Sequence, residues 1–454
     1  MKTRKLTMMV MAVMLVLTWT PITYAAVSPE DAAKLGATLT GVGAEMAGNK
    51  DGTIPPYTGG LTKLPANYKP GSGVRPDPFA GEKPLFSINA QNMTQYADKL
   101  TEGTKALMRK YSSFRVDVYK THRTAAFPDF VIKNTMKNAL KATTADGGLS
   151  MVGARAGVAF PIPKDGYEAM WNHLTRFLGR SNDVKYSSYN VDANGRIILT
   201  EICKMFEELP FYDEDASRFD NKTYLKVRNV WSGPARKAGE AAYLFDPIDM
   251  YGSPRVVYQY LPGQRRIKLA PEIGYDTPSG ATGGNSVYDE TWMLNGPMDR
   301  YTWKLIGKKE LYVPYNTYKA TYLGKKEELF GPKHLNPDVV RWELHRMWVV
   351  EATLRPGKRH VYPKRMFYLD EDSWNALACE NYDAHGTLFK ANFGFMAPNY
   401  DVPAPASRFS VLYNLIAGNY VGTIWLGEGG YDRKTQVAPE RDWAPSTLVS
   451  FSSR

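Results

Sequence analysis

A chain of 454 residues, 43% hydrophobic with mean hydropathy −0.39, is long and apolar enough to bury a sizeable core, as one large β domain with additions or as two domains. Its net charge of +11 falls to +8 when the three basic residues of the leader, Lys2, Arg4 and Lys5, are set aside. The remaining basic residues are scattered through strands, which argues against nucleic acid and for a solvated surface with room for anionic membranes or acidic partners.

In chain order, residues 1–25 read as a secretory leader. A charged start precedes the apolar run Leu6–Leu17, and Thr23-Tyr24-Ala25 offers a small-residue cleavage site. No cysteine follows it, so no lipobox is present and the expected location is the periplasm. Residues 26–90 form the next unit. Ser28-Pro29-Glu30-Asp31 opens a short helix predicted to run to about Leu39, and a Gly/Pro-rich stretch from Gly41 to Pro84 reads as an extended arm on the main body. Residues 91–454 are read as the main domain.

Three further helices are predicted, over Asn92–Tyr111, Pro128–Ala142 and from Asp165 past Trp171 and Leu178. From residue 184 to 395 roughly ten or more strands follow, with no convincing long helix. Asn194-Gly195 marks one hairpin and Leu261-Pro262-Gly263 another. Tyr301–Ile306 and Lys309–Val313 read as a pair turning at Gly307-Lys308, after a Gly-rich irregular stretch from Pro271 to Gly296. The clearest pattern is Val339–Phe393, where period-two alternation over about fifteen residues leads into a meander turning at Arg355-Pro356-Gly357-Lys358 and Asp370-Glu371-Asp372-Ser373. A two-residue turn there sets His345 opposite Tyr368 and His360 opposite Thr353.

Catalytic patterns are missing. No GxSxG elbow, phosphate loop, dinucleotide fingerprint or metal spacing of histidines occurs, so no catalytic residue, metal or cofactor is predicted. Asp213-Glu214-Asp215 and Asp370-Glu371-Asp372 read as solvated turns. Cys203 and Cys379 leave open one bond or two packed thiols.

What stands out is aromatic loading, with 29 Tyr, 18 Phe and 10 Trp. A curved sheet left partly unfilled on its concave face would hold an apolar ligand, with Tyr258, Tyr260, Trp303, Trp342, Leu344, Trp348 and Phe367 as its expected wall. Arg265 and Arg266 at a hairpin tip, and Arg346 between Leu344 and Trp348, are candidates for head-group or partner contact.

Several phrases resemble a known family: Tyr260-Leu-Pro-Gly-Gln-Arg-Arg266, Asp299-Arg-Tyr-Thr-Trp-Lys-Leu305, Tyr312-Val-Pro-Tyr-Asn316, His334-Leu-Asn-Pro-Asp338, Arg341-Trp-Glu-Leu-His-Arg346 and Lys364-Arg-Met-Phe-Tyr-Leu369. Together they resemble the bacterial domain of unknown function family 1329, labelled outer-membrane lipoprotein-sorting-like and similar in expected fold to the LolA and LolB carriers. The resemblance implies an α+β fold, an open antiparallel half-barrel with helices on its concave side. It also implies a Gram-negative periplasmic protein working beside a resistance-nodulation-division type transporter and an outer-membrane partner. The reading is then a periplasmic carrier of a lipid or other hydrophobic molecule. An envelope hydrolase of a hydrophobic ester or glycan, and a non-catalytic assembly partner, stay open beside it.

Overall fold

The computed structural model describes residues 26–215, 222–322 and 324–452; the leader read in residues 1–25 lies outside them. Short elements come first. In α1 (Pro29–Ala32) Ser28 Oγ accepts from the Asp31 amide at 3.0 Å, as the Ser-Pro-Glu-Asp pattern predicts, but the helix ends after one turn. After β1 (Phe86–Ile88), the helix expected over Asn92–Tyr111 is broken. A 3₁₀ stretch over Met93–Lys99 ends at Leu100, and Thr101 caps a new start for α2 (Glu102–Lys110). β2 (Val116–Val118), α3 (Asp129–Lys141), β3 (Thr143–Ala145), β4 (Ser150–Val152) and α4 (Gly166–Leu174) follow.

The strand series is longer than its sequence pattern suggests. One wing is β5 (Ser181–Val191), β6 (Ile197–Glu208), β7 (Thr223–Gly233), β8 (Ala241–Pro247), β9 (Val256–Leu261) and β10 (Arg266–Leu269). Next come β11 (Tyr301–Pro314), the short helices α5 (Tyr318–Tyr322) and α6 (Lys326–Leu329), then β12 (Trp342–Leu354), β13 (Lys364–Asp370), β14 (Ala376–Tyr382) and β15 (Leu388–Met396). The tail after Ala397 adds β16 (Ser407–Asn414), β17 (Tyr420–Trp425), β18 (Tyr431–Lys434) and α7 (Leu448–Ser452).

Among the described residues sixteen strands make one sheet in the order β1-β2-β12-β13-β14-β15-β16-β17-β5-β6-β7-β8-β9-β10, with β11 on β12 and β18 on β5. Every pairing is antiparallel except one parallel bridge between Trp342 and Val118. The sheet runs from β1 to β10 without closing, so the protein is α+β with a large open antiparallel sheet. The helices divide between its faces. α3 and α4 bury Val131, Met170 and Trp171 against one face, while Leu107 and Met108 of α2 pack on the other.

Two local expectations are corrected. β11 is a single strand, because Gly307 (φ 134°) absorbs an extra residue as a bulge where a hairpin was expected. β12 and β13 pair Met347 with Asp370 and Thr353 with Lys364, four residues away from the two-residue-turn register. The intervening loop is longer because its residues have other partners: Arg355 donates to the Tyr301 carbonyl and the Tyr362 hydroxyl to Glu290. The shift is even, so the paired residues 347–353 and 364–370 keep the faces that alternation gives them.

The arm is integral to the body. Gly43 (φ 95°) sits so close to Pro161 that any Cβ there would lie 1.8 Å from its carbonyl oxygen. Ala44, Ile54 and Arg75 are buried, and Arg75 pairs with Asp401 at 2.6 Å.

Candidate functional site

The two wings furnish the α3/α4 face differently. On β6–β9 two cross-strand rows run side by side, Met205–Asn229–Ala242–Gln259 and Val227–Leu244–Val257. Most of these side chains are small or slender. Apart from Trp231, which lines the cavity, the aromatic members Phe206, Tyr243, Phe245, Tyr258 and Tyr260 alternate to the opposite face, where Trp443 and Leu448 of the C-terminal segment cover them. The rows therefore leave a gap, a cavity of about 140 Å³. Its roof is the irregular segment 270–296, which contributes Ile273, Ala281, Thr282, Tyr288 and Trp292.

That roof is pinned to the other wing. Asp289 accepts from Arg365 Nη1 at 3.1 Å and faces His360 Nε2 at 3.0 Å. Glu290 takes Lys390 Nζ at 3.0 Å, the Tyr362 hydroxyl at 3.0 Å and the Asn381 amide at 3.1 Å. Burial by itself would raise the Asp289 pKa, but Arg365 and His360 outweigh it and hold the carboxyl below its ordinary value. Every one of these groups is buried. The lid is thus held by ion pairs at Asp289 and Glu290, in the midst of the residues that roof the gap.

Polar groups break the apolar lining, with Glu201, Lys237, Glu240, Arg255 and Glu290 as its charged members. Glu201 accepts from Ser188 Oγ at 2.9 Å and Trp231 Nε1 at 2.6 Å, and burial pushes its carboxyl pKa up. Asn229 Oδ1 and Trp292 Nε1 are buried with no hydrogen-bond partner. Lys237 enters the wall beside Trp231. Nothing here pairs a nucleophile with a base; an apolar hollow with scattered polar contacts is a binding geometry.

The expected wall residues are placed elsewhere. Tyr258 and Tyr260 point away from the cavity, under the C-terminal segment, while their neighbours Val257 and Gln259 line it. Trp342 and Leu344 belong to the core on the α2 face, with Trp342 edge-on to Phe393 at 5.6 Å. Trp303, Trp348 and Phe367 lie on the α3/α4 face but fill solid core. Trp303 packs on Phe367 at 5.4 Å and Trp348 stacks on Trp374 at 6.3 Å. Arg265 and Arg266 are exposed at the β9–β10 tip as expected.

Arg346, a head-group or partner candidate in the sequence, is engaged inside the fold. It is buried, donating to Glu371 at 3.1 Å and to the Ala47 carbonyl of the arm at 2.9 Å. The acidic triplet after β13 is likewise no solvated turn, with Asp370, Glu371 and Asp372 exposed by 0%, 2% and 3%. Arg123 grips both oxygens of Asp372 at 2.9 and 2.6 Å and the Glu45 carbonyl at 2.7 Å; Lys308 bonds Glu371 at 2.7 Å and Glu45 at 2.9 Å. The network locks the arm onto the sheet. In the second acidic cluster only Asp213 is buried, with Arg180 at 2.8 Å.

Here His345 meets carboxylates: its Nδ1 lies 3.9 Å from Asp370 Oδ1, and with Asp372 it forms a trio whose ligand-type atoms fall within 4.8 Å of one another. Arg123 already neutralises Asp372, and Tyr315 and Ser373 donate to Asp370 Oδ2. The trio is therefore built as a structural charge lock, with a guanidinium where a cation would have to sit. A second groove, of about 560 Å³, runs between arm residues 74–82 and residues 316–341. Its cations are engaged, Arg75 by Asp401, Arg341 by Glu82 and Glu343, and Lys319 by the Asp338 carbonyl.

Comparison with known proteins decides the family. The family model described as protein of unknown function (DUF1329) matches residues 87–449, and an uncharacterized protein of Pseudomonas aeruginosa is 39% identical over 429 residues, 93% of this chain and 94% of that one. The chain belongs to the DUF1329 family. Among solved structures, the DUF1329 chain is similar to a domain provisionally described as outer-membrane lipoprotein-sorting from Vibrio parahaemolyticus (14% identity, TM-score 0.42, covering 63% of this chain and 98% of that one). It is also similar to a LolA superfamily protein from Nitrosomonas europaea (11% identity, TM-score 0.36, 62% and 98% covered). Among the described residues no helix is long and apolar enough to cross a membrane.

Proposed function

We propose that this DUF1329 protein carries a hydrophobic molecule, holding its apolar part between the small-residue rows of β6–β9 and the 270–296 lid. The observation that carries the reading is the cavity itself, where bulky and slender side chains are sorted to opposite faces of the same strands. At the roughly 30 Å³ that one water-sized group occupies, about 140 Å³ takes on the order of five such groups. Each buried methylene contributes about 0.8 kcal/mol, so ~5 of them give a gross driving force of ~4 kcal/mol before the cost of association. The carrier works in the periplasm after removal of its leader, loading or unloading at an envelope transporter.

The test is to fill the gap. Leu244→Trp projects a large ring from the middle of the floor, so binding of the apolar fluorophore N-phenyl-1-naphthylamine is expected to weaken at least tenfold while the fold is kept. Extraction of the wild-type protein from periplasm should also release an apolar compound that the variant lacks. Equal fluorophore binding by the two proteins would remove the cavity from the function.

A further inference from the structure

The cavity has a charged corner that an uncharged ligand would not use. Lys237 lies in the β7–β8 turn, is 9% exposed, and forms part of the cavity wall. Its ammonium sits 4.6 Å over the Trp231 ring and makes no hydrogen bond among the described residues; the Glu240 carboxylate approaches only to 3.9 Å. A nearly buried ammonium without a hydrogen-bonded partner costs free energy that an arriving anion would recover.

The next turn adds to it. The β7–β8 and β9–β10 turns touch, since a Cβ on Gly239 would lie 3.0 Å from the Pro262 ring. Between them they carry Arg236, Lys237, Arg265 and Arg266, the three arginines exposed. The acids facing this corner are Glu240 and Glu201, and both Glu201 oxygens are already occupied by Ser188 and Trp231. Farther along β10, Lys268 and Glu272 neutralise each other at 3.1 Å. The balance at the corner is cationic, and it adjoins the apolar rows at Gln259 and Ala242.

We propose that the ligand is an anionic amphiphile, whose carboxylate or phosphate head pairs with Lys237 while its chain lies along the β6–β9 rows. Arg236, Arg265 and Arg266 draw the head toward the corner from solution. The inference rests on the carrier reading and names its ligand class.

Calorimetric titration of the mature chain at low salt with decanoate, decyl phosphate, decanol and inorganic phosphate separates the possibilities. Both anionic amphiphiles are expected to bind at least tenfold more tightly than decanol, with that ratio shrinking in 0.5 M salt. In Lys237→Met the ratio should fall below threefold. Inorganic phosphate alone should bind at least a hundredfold more weakly than decyl phosphate; equal binding would make this a free-anion site and overturn the amphiphile. Decanol binding as tightly as decanoate would overturn the anionic head and leave the carrier standing. Failure of every decyl compound to bind or to displace the naphthyl fluorophore would sink the carrier reading itself. If Lys237→Met does not fold, the exposed pair Arg265→Gln/Arg266→Gln decides: the salt-sensitive part of decanoate affinity should drop about threefold, and an unchanged salt dependence counts against the proposal.

Discussion

The β12–β15 wing and the β6–β9 wing are built from the same antiparallel pairing, yet they spend their inner faces in opposite ways. On the first, Arg365, Asn381, Lys390 and His360 meet Asp289 and Glu290 in a buried polar layer, and Trp303, Trp348 and Phe367 fill what is left. On the second, mostly slender residues face in, and Ile273, Tyr288 and Trp292 above them leave a gap. One segment, 270–296, spans both. Buried charge is costly unless every partner is in place, so the first wing can hold the lid in only one arrangement. The second wing holds it by apolar contact and a few separate hydrogen bonds, from Arg255 to Asn295 and from Asn190 to the Thr282 carbonyl. That contrast is what a lid needs if it is to stay attached while opening over a ligand.

The largest effect should come from unpinning the lid. Arg365→Met leaves Asp289 with a buried charge and only His360 beside it, and breaking one side of a buried pair costs about 3–5 kcal/mol. Urea unfolding of wild type and variant measures it. Leu244→Ala on the hollow wing removes a side chain that already borders open space, so its loss should fall at or below the lower end of the 2–5 kcal/mol usual for such truncations. Equal losses from the two substitutions would erase the proposed difference between the wings.

A smaller effect tests the charge lock at the end of β13. Burial, then the charge of Asp372, raises the Asp370 pKa to about 7 from its ordinary 3.8. A carboxyl whose folded pKa is raised contributes stability that is full below about pH 4 and is lost as pH climbs through about 7. Wild type should therefore lose more stability between pH 5 and pH 8 than Asp370→Asn does, and parallel profiles in urea would show that Asp370 is already ionised in the fold.

The difference between the wings also marks where the sequence could be read and where it could not. Strand positions and faces were legible because period two survives any even slip, and the β12–β13 register differs from the two-residue-turn expectation by four. The loop that causes the slip was illegible, because Tyr362 and His360 are claimed by Glu290 and Asp289 about seventy residues away. The triplet Asp370-Glu371-Asp372 has turn chemistry locally, and only folding brings Arg123, Lys308 and Arg346 to it. For the cavity, aromatic bulk misleads. Large rings fill space, so Tyr258 and Tyr260 mark the covered face, and the gap lies behind their smaller neighbours Val257 and Gln259. Size alternation along β8 and β9 was the readable signal.

The smallest effect is kinetic and uses the two cysteines, which are free and buried, one on each wing. Cys203 pairs across β6 with Tyr186, on the cavity wall, whereas Cys379 lies on β14 opposite Phe367, in the pinned wing. Burial pushes both thiols up, Cys379 to about 12, so neither reacts appreciably in the closed fold near pH 8. Modification then proceeds through open forms in which the thiol has its ordinary acidity, and each rate reports the opening of its own wing. Iodoacetamide followed by peptide mass analysis should label Cys203 several-fold faster than Cys379, and a decyl ligand in the cavity should slow Cys203 alone. Equal rates, slowed together by ligand, would mean that the sheet opens as one unit and that the cavity wing has no motion of its own.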